Sequence, residues 1–333
     1  MRKQQGKFLK ITLLFLCMGW HGVAAQRQSS SKHPYASDTP VSEPTIFAQG
    51  VVSTGDFDSH PAFTPDGKTL YFVRSTPTFN FWTILVSRFE NGQWQQPEIA
   101  PFSGQYSDAD PFITSDGSHF YFISNRPVAG KATQDLDIWV MEKNGDGWGE
   151  PKNLGEPVNS PGNEWYPTIA SNGSIYFGSD RQGGKGRTDI YRCRVAAGEY
   201  SQAENLGDLI NTSANEFEAL ISPDEKCLIL MAGGRADGLG GFDLYISYNR
   251  DGSWTKPVNL GSKINSAGNE YSPTISPDKK YFFWTSARGF ADTPLKKRLN
   301  SQELMIKLRS PGNGLGDIYY IDIAALAIGN KDK

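Results

Sequence analysis

Short apolar runs, separated by turn residues, recur along the chain in a fixed order. In the clearest copy, Glu270-Tyr271-Ser272-Pro273-Thr274-Ile275 leads into the turn Ser276-Pro277-Asp278, and a second apolar run ends before Ser286-Ala287-Arg288. The anchors of successive copies lie 50, 56, 52 and 54 residues apart. The anchors are Pro61, Pro111, Pro167, Ala219 and Pro273. A period of this size with several short strands is typical of a β-propeller.

Each repeat predicts four antiparallel strands, which together make one blade. The first strand ends at a turn such as Thr64-Pro65-Asp66-Gly67, and the second is aromatic, as in Leu70-Tyr71-Phe72-Val73. The third opens on aspartate, as in Asp189-Ile190-Tyr191, and the fourth carries an aromatic residue and often a proline, as in Trp148 to Pro151. Such turns punctuate hairpins, so the chain is predicted to be all-β.

The number of strands predicts how the ring closes. The sequence contains five first, second and third strands but only four fourth strands after them. Val41-Ser42-Glu43-Pro44 matches Trp254-Thr255-Lys256-Pro257 in spacing, so the N-terminal segment is expected to supply the outer strand of the last blade. Five blades are therefore predicted, with six as the alternative.

These repeats resemble the TolB-type, WD40-like propeller family, also called the PD40 repeat. The resemblance rests on Pro65-Asp66-Gly67-Lys68-Thr69-Leu70-Tyr71-Phe72, on Pro277-Asp278-Lys279-Lys280, and on the repeated Ser-x-Arg and Asp-Ile-Tyr segments, and it covers most of residues 43–323. TolB itself has six blades, so a count of five departs from it. The resemblance implies a module of the Gram-negative periplasm or outer membrane, because related modules occur there.

Both ends of the chain are predicted to lie outside the propeller. Residues 1–25 combine a basic start, the apolar run Ile11 to Met18 and the small residues Val23-Ala24-Ala25, which is typical of a cleaved signal peptide. Cys17 lacks the small preceding residues of a lipidation site. We expect a linker at 26–42, one propeller at 43–326 with a helical insert at 290–315, and a tail at 327–333. We expect a periplasmic or extracellular protein with no membrane span after cleavage.

Charge and cysteine content narrow the function further. Without residues 1–25, 29 lysines and arginines face 36 aspartates and glutamates, a balance of −7, which argues against a nucleic-acid partner. Cys193 and Cys227 fall in strands of different repeats, and we expect two buried thiols, with a disulfide as the alternative in an exported protein.

Arginines and aspartates at equivalent positions predict one ion pair in each of four blades. An arginine follows each second strand and an aspartate opens each third strand, and the first repeat lacks both, with Thr76 and Thr83 in their places. A bidentate bond between them would hold the loop that joins the two strands. The predicted structural pairs are Arg126 with Asp137, Arg181 with Asp189, Arg235 with Asp243, and Arg288 with Asp317.

An acidic residue stands three positions before every anchor. These residues are Asp58, Asp108, Glu164, Glu216 and Glu270. Equivalent positions of a propeller surround its central channel, so five carboxylates are expected there. Two interpretations stay open: each carboxylate accepts hydrogen bonds from its own turn, or together they hold a cation such as calcium. Carboxylates paired across the channel could also serve glycoside hydrolysis.

Other candidate chemistry is sparse. His60 stands just before the first anchor, within reach of the channel, and no nucleophile elbow or Cys/His cluster accompanies it. Trp165, Phe217 and Tyr271 follow the acidic position in three repeats, where they could fill the wedge between blades or stack on sugar rings. No cofactor is expected beyond the cation considered above.

The insert at 290–315 differs from the repeats in charge and in predicted structure. Thr293-Pro294 predicts a helix start. Lys296, Lys297 and Arg298 contribute to a balance of +3 over residues 290–315. Loops of this kind open on the same face of a propeller as the acidic positions.

Two functions remain at this point. The first is a non-catalytic docking propeller of the cell envelope, which recognises a protein, peptide or glycan on the face formed by the acidic positions and the insert. The second is a carbohydrate-active enzyme that uses channel carboxylates.

Overall fold

The computed structural model describes residues 34–35, 37, 39–130 and 135–326, and they form an all-β propeller with five blades. This confirms the predicted fold class and blade count. The predicted signal peptide, Cys17, most of the linker and the tail lie outside the described residues.

Every blade contains four main antiparallel strands, and in blades 1, 2 and 4 a further short strand extends the third. The strands of blade 1 are β2 (Phe57–Phe63), β3 (Thr69–Ser75), β4 (Trp82–Glu90), β5 (Gln93–Trp94) and β6 (Glu98–Ile99). Those of blade 2 are β7 (Asp108–Ile113), β8 (His119–Ser124), β9 (Asp137–Asn144), β10 (Gly147–Trp148) and β11 (Lys152–Asn153). Those of blade 3 are β12 (Glu164–Ile169), β13 (Ile175–Ser179), β14 (Asp189–Cys193) and β17 (Glu204–Asn205), beside the separate hairpin β15 (Val195–Ala196) and β16 (Glu199–Tyr200).

The last two blades complete the ring. Blade 4 contains β18 (Asn215–Ile221), β19 (Cys227–Gly233), β20 (Phe242–Arg250), β21 (Ser253–Trp254) and β22 (Val258–Asn259). Blade 5 contains β23 (Glu270–Ile275), β24 (Tyr281–Ser286), β25 (Asp317–Asp322) and, as its outer strand, β1 (Thr45–Ile46). A short 3₁₀ helix at Ile323–Ala325 follows β25.

The N-terminal strand closes the ring, as the spacing of Val41 to Pro44 predicts. β1 pairs antiparallel with β25, with Thr45 opposite Tyr320 and Ile46 opposite Tyr319. The N–H of Phe47 donates to Ile318 O at 2.8 Å. The Phe47 ring packs edge-on against Phe283 of β24 at 5.2 Å between centroids. Strands from the two ends of the chain therefore share one blade.

The second strand of each blade is apolar at nearly every position because both of its faces are buried. The burial pattern of β24 is unbroken from Tyr281 to Ser286, and that of β13 from Ile175 to Ser179. A strand packed between two neighbouring sheets reads as a continuous apolar run rather than an alternating one. The largest fully buried side chains include Trp284, Tyr176 and Tyr245. These side chains fill the wedges between blades.

A buried amide ties three blades to the loop that leads to the next one. Asn211 accepts from the N–H of Ile190 at 2.8 Å and donates to the Ile190 carbonyl at 2.8 Å. Asn159 and Asn265 make the same pair of bonds to the third strands of blades 2 and 4. Each side chain thus pairs a backbone N–H of the third strand and adds a second donor to the carbonyl of the same residue, which for Ile190 also accepts from Leu206 N at 3.1 Å.

Cys193 and Cys227 are free thiols, and burial raises the pKa of Cys193 to about 11 and that of Cys227 to about 12. They lie in β14 and β19, in two different blades.

The insert contains one helix, which begins later than predicted. Helix α1 spans Ser301–Leu308, and Asn300 caps it in a capping box with Glu303. The predicted start at Thr293-Pro294 is wrong, because the two reciprocal bonds between Asn300 and Glu303 fix the first turn there. Asn313 Nδ2 donates to Gly55 O at 3.0 Å, which holds the end of the insert beside the start of β2.

Among the residues that the structure describes, no helix combines the length and the apolar character needed to cross a bilayer.

Candidate functional site

Five residues meet at the centre of the ring, one from the innermost strand of each blade. Each lies two positions after the acidic residue of its repeat and one before the anchor. They are His60, Asp110, Tyr166, Glu218 and Ser272. Their contacts cross the ring between blades that are not neighbours, which places them at the axis. His60 of blade 1 contacts Glu218 of blade 4, and Tyr166 OH of blade 3 donates to Pro273 O of blade 5 at 2.7 Å.

A break in strand register turns these side chains toward the axis. Every innermost strand shifts register at this position, for example between Ser59 and Ala62 in β2. Four of the five residues have positive φ angles, from 50° at Tyr166 to 55° at His60. A bulge of this kind re-aims one side chain, and a non-glycine residue with positive φ carries a conformational cost. The surrounding sheet maintains this conformation despite its cost.

A histidine and two carboxylates form the polar centre of this group. His60 Nε2 lies 3.0 Å from Asp110 Oδ1 and 3.3 Å from Glu218 Oε1. The second oxygen of each carboxylate accepts a backbone N–H, Asp110 Oδ2 from Tyr166 at 2.8 Å and Glu218 Oε2 from Ser272. All three side chains are buried. Every carboxylate oxygen therefore has a partner within the ring.

The two carboxylates determine whether the His60 imidazole is protonated. Burial alone lowers the pKa of His60, but the neighbouring Asp110 and Glu218 outweigh it and raise the pKa to about 9. Burial raises the pKa of the Glu218 carboxyl, and the bond from His60 offsets this only in part. At neutral pH the imidazole is therefore protonated in this arrangement.

This polar centre is the floor of an aromatic cavity of about 410 Å³. Seven of the side chains that line the cavity are aromatic: Phe57, Phe79, Trp82, Trp165, Phe217, Phe242 and Tyr271. Gly178 positions one wall, because a Cβ at Gly178 would lie 2.0 Å from the carbonyl oxygen of Phe217. The volume is within the range of roughly 300–1,000 Å³ that small-ligand pockets have.

One wall comes from the part of the chain where the repeat pattern fails. Blade 1 has an aromatic loop in place of the arginine and aspartate of the other blades, and Phe79 of this loop has a φ of 56°. The Phe79 ring lies 4.9 Å from Phe57, 5.4 Å from Trp82 and 6.4 Å from His60 between centroids. Thr76 and Thr83 therefore mark the repeat that contributes three of the seven aromatic side chains of the cavity, more than any other blade.

The five predicted channel carboxylates have a different role, and their placement in the channel is a correction to the sequence analysis. Asp58, Asp108, Glu164, Glu216 and Glu270 are fully buried and bind groups of their own blades. Glu270 accepts from Ser266 N at 2.8 Å, from Ser266 Oγ at 2.6 Å and from Ser286 Oγ at 2.6 Å. This matches the interpretation in which each acid accepts hydrogen bonds from its own turn. The cause is the bulge, which turns the residue two positions later to the axis instead.

The arginines contact these same acids rather than the predicted aspartates, so the predicted pairing is wrong. The observed pairs are Arg126 with Asp108, Arg181 with Glu164, Arg235 with Glu216, and Arg288 with Glu270, at 2.8, 3.1, 2.9 and 3.7 Å. In blade 1, Arg74 of β3 takes this role and lies 2.7 Å from Asp58. Each of these arginines except Arg74 also donates to a carbonyl of the preceding loop, as Arg235 does to Ile210 O at 2.7 Å.

The aspartates of the third strands bind the loop by themselves. Asp189 accepts from Lys185 N at 2.6 Å and from Gly186 N at 3.0 Å, and Asp243 accepts from Leu239 N at 2.5 Å. Asp317 accepts from Gly312 N at 2.7 Å. Asp137 is the first residue of β9, is buried, and accepts from Asn153 Nδ2 at 2.9 Å. Because these carboxylates already accept backbone N–H groups of the loop, they are not free to bind the arginines as predicted.

The remaining candidates lie in two different environments. Trp165, Phe217 and Tyr271 line the cavity and also pack between blades, with the Trp165 and Phe217 rings 5.4 Å apart. Lys296, Lys297 and Arg298 are exposed on the insert and are not among the cavity-lining residues.

Sequence reasoning reached His60 but missed Asp110 and Glu218. A usable signal was present, because the residue before the anchor is polar in four repeats and tyrosine in the fifth, within strands that are otherwise largely apolar. Without the bulge, the acid and the residue two positions later occupy the same face of a strand. The pattern alone could not decide which of the two faces the axis.

No family model matches the chain, and no curated protein matches it. Solved structures resemble it at low identity. An α-L-arabinofuranosidase from Podospora anserina, solved with cellotriose, is 14% identical over 85% of this chain and 94% of that one, with a TM-score of 0.48. A protein of unknown function from Dyadobacter fermentans is 17% identical over 74% of this chain and 78% of that one, with a TM-score of 0.42.

A Mycobacterium tuberculosis puromycin-hydrolyzing peptidase is 13% identical over 69% of this chain, with a TM-score of 0.39, and this chain spans about a third (34%) of its length. At these identities and TM-scores the likenesses carry no argument about what this chain binds.

Proposed function

We propose that the protein is a non-catalytic binding propeller that takes part of a glycan into the aromatic cavity at the centre of its ring. The observation that carries this proposal is the combination of seven aromatic side chains with a floor of paired carboxylates. Aromatic faces stack on the apolar faces of sugar rings, and carboxylates accept hydrogen bonds from hydroxyl groups.

The distribution of polar groups favours this class of ligand. The lining is mainly apolar, and three of its four polar side chains, those of His60, Asp110 and Glu218, lie together while Asn269 is the fourth. A few fixed polar groups beneath an aromatic wall orient a small ligand and select it by its hydrogen bonds. We therefore assign Trp165 and Phe217 to stacking and the two carboxylates to recognition of hydroxyl groups.

We also propose that the protein works outside the cytoplasm, in the bacterial cell envelope. The support is the signal-peptide pattern of residues 1–25 and the resemblance of the repeats to the TolB-type family. In that compartment the ligand would be a glycan of the cell envelope.

Glycoside hydrolysis is the second candidate, and one observation favours it. Asp110 and Glu218 offer carboxylate oxygens within 4.8 Å of each other, and burial raises the pKa of Glu218. Retaining glycosidases hold their two carboxyl groups roughly 5–5.5 Å apart. His60 lies between the two carboxylates here and contacts both, which leaves no room for a scissile bond. Binding without hydrolysis is therefore our preferred function.

The test is glycan binding by the mature chain on an array of envelope oligosaccharides, followed by calorimetry with the best ligand. Trp165→Ala should weaken binding by about tenfold or more, which corresponds to about 1.4 kcal/mol. Phe81→Ala is the matched control, because Phe81 is exposed and is not among the cavity-lining residues. Near-ultraviolet circular dichroism checks that both variants fold.

Three outcomes would overturn the proposal. Absence of binding to every oligosaccharide would refute the ligand class, and equal losses in both variants would refute the location. Release of reducing ends by the wild type, abolished in Glu218→Gln, would establish the second candidate in its place.

A further inference from the structure

We propose that the floor of the cavity is a site for a divalent transition-metal ion, held by His60 Nε2, Asp110 Oδ1 and Glu218 Oε1. These three atoms lie within 4.8 Å of one another. Each comes from the innermost strand of a different blade, so the site exists only in the closed ring.

The separations between these atoms fit a shared ion. Imidazole nitrogen and carboxylate oxygen bind Zn²⁺ at about 2.0–2.2 Å, so two such ligands lie roughly 3.0 Å apart at a right angle and roughly 3.4 Å apart at a tetrahedral angle. His60 Nε2 lies 3.0 Å from Asp110 Oδ1 and 3.3 Å from Glu218 Oε1. These two measured distances match the separations expected for a right angle and for a tetrahedral angle at the metal.

Groups around the three ligands hold them in orientation. His60 Nδ1 lies 2.8 Å from Ser59 Oγ, which leaves Nε2 directed at the centre. The outer oxygens of Asp110 and Glu218 accept the N–H groups of Tyr166 and Ser272. Metal ligands are usually fixed in this way by a hydrogen bond to the atom that does not bind the metal.

The local charge also favours a cation. In the described part of the chain, His60 is the only basic side chain in an ion pair with Asp110 or Glu218. The arginines of the blades are engaged with the five structural acids instead. A divalent ion that binds here releases the proton that His60 Nε2 otherwise holds between the two carboxylates, and the charge of the ion then faces both of them.

The type of ligand selects the class of metal. Calcium and magnesium prefer oxygen ligands, whereas one imidazole with two carboxylates suits Zn²⁺, Mn²⁺ or Fe²⁺. The cation expected from the sequence, such as calcium, would bind a different set of residues, the five structural acids. The proposed site therefore differs from it in both position and metal.

Three protein ligands leave at least one coordination position free, and all three ligand residues line the aromatic cavity. A hydroxyl or carboxylate oxygen of a bound ligand would fill this position. This last step rests on the proposed function, whereas metal binding by the three residues does not.

The experiment measures metal alone, without glycan, on the folded mature chain after treatment with a chelator. Calorimetry with Zn²⁺ and Mn²⁺, and elemental analysis after gel filtration, should give one ion per chain. His60→Asn, Asp110→Asn and Glu218→Gln should each weaken binding at least tenfold. Asparagine is chosen at position 60 because it tolerates the positive φ there.

Ser272→Ala is the matched control, since it changes the same ring position in blade 5 and keeps the backbone N–H that Glu218 accepts. It should bind the metal like the wild type. Cobalt(II) offers a second readout, because its visible spectrum reports nitrogen and oxygen coordination directly.

Failure of the wild type to bind Zn²⁺, Mn²⁺ or Co²⁺ saturably would overturn the inference. Undiminished binding by all three ligand variants would do the same, because it would place the ion elsewhere. Glycan binding is measured separately on the metal-free protein. A negative metal result thus leaves the proposed function standing, and a negative glycan result leaves the metal site standing.

Discussion

The carboxyl of Asp317 is predicted to make the propeller less stable as the pH rises, and Asp317→Asn is predicted to remove this effect. Asp317 is buried, and its Oδ1 has no hydrogen-bond partner among the described residues. Burial raises the pKa of Asp317 from 3.8 to about 7, with the Gly312 N–H opposing and the Asp58 carboxylate adding to the shift.

The sign of the effect follows from linkage between protonation and folding. The folded state holds the Asp317 proton more tightly than the unfolded state, so the stabilisation is complete below pH 4 and is lost as the pH rises to about 7. Each pH unit between the two pKa values is worth about 1.4 kcal/mol, which sets an upper limit of about 4 kcal/mol. Relaxation around a buried carboxylate reduces this limit, and we expect a loss of about 1–3 kcal/mol.

Urea unfolding of wild type and Asp317→Asn between pH 4 and pH 8 measures the effect. The variant amide still accepts the Gly312 N–H, so the two proteins should match at pH 4, and the variant should be more stable by about 1–3 kcal/mol at pH 8. Comparing the two proteins cancels the titration of the other groups.

Asp189→Asn is the matched control, because Asp189 opens the third strand of blade 3 and both of its oxygens accept hydrogen bonds. An amide there turns one donor toward another, so this variant should be less stable than wild type at pH 8. If Asp317→Asn is instead destabilised at pH 8, or differs from wild type by the same amount at every pH, the reasoning about Asp317 is refuted.

Three further predictions concern the scaffold. Phe47→Ala should lower the free energy of unfolding, measured in urea, by about 3–5 kcal/mol, because it removes one ring from the aromatic cluster that closes the propeller. The control Phe81→Ala, at an exposed position, should change it by less than about 1 kcal/mol. Asn211→Ala should cost about 1–3 kcal/mol by the same measurement, since it leaves the buried N–H of Ile190 unpaired while the Ile190 carbonyl keeps the N–H of Leu206, and a cost below about 0.5 kcal/mol would contradict this. Cys193 and Cys227 should react with a thiol reagent at pH 8 only after unfolding, because burial raises the pKa of both, and rapid labelling of the native protein would show that assignment to be wrong.

The fold was predictable because repetition presents the same pattern five times. The anchors fix the period, and the N-terminal segment supplies the missing outer strand at Thr45–Ile46, so blade count and ring closure follow from counting strands. Each copy also tests the others, which is why one divergent loop in blade 1 did not disturb the count.

The site was less predictable because it depends on one backbone detail. The bulge in each innermost strand exchanges which of two residues faces the axis, so the acids predicted there bind arginines, and His60, Asp110 and Glu218 take their place. A residue in a positive φ conformation is not visible in a pattern of apolar and polar positions. The aromatic wall was missed for a related reason, because Phe79 and Trp82 lie where the first repeat departs from the others.

The central claim is that ligand enters the aromatic cavity at the axis of the ring, and the tryptophan indole N–H signals in a ¹H–¹⁵N spectrum test it most directly. Trp82 and Trp165 line the cavity, whereas Trp94 and Trp148 lie in the short strands at the outer side of blades 1 and 2. On titration with the best-binding oligosaccharide, the signals of Trp82 and Trp165 should move while those of Trp94 and Trp148 stay in place. Movement of the outer pair alone, or of none of the four at saturation, would contradict the account.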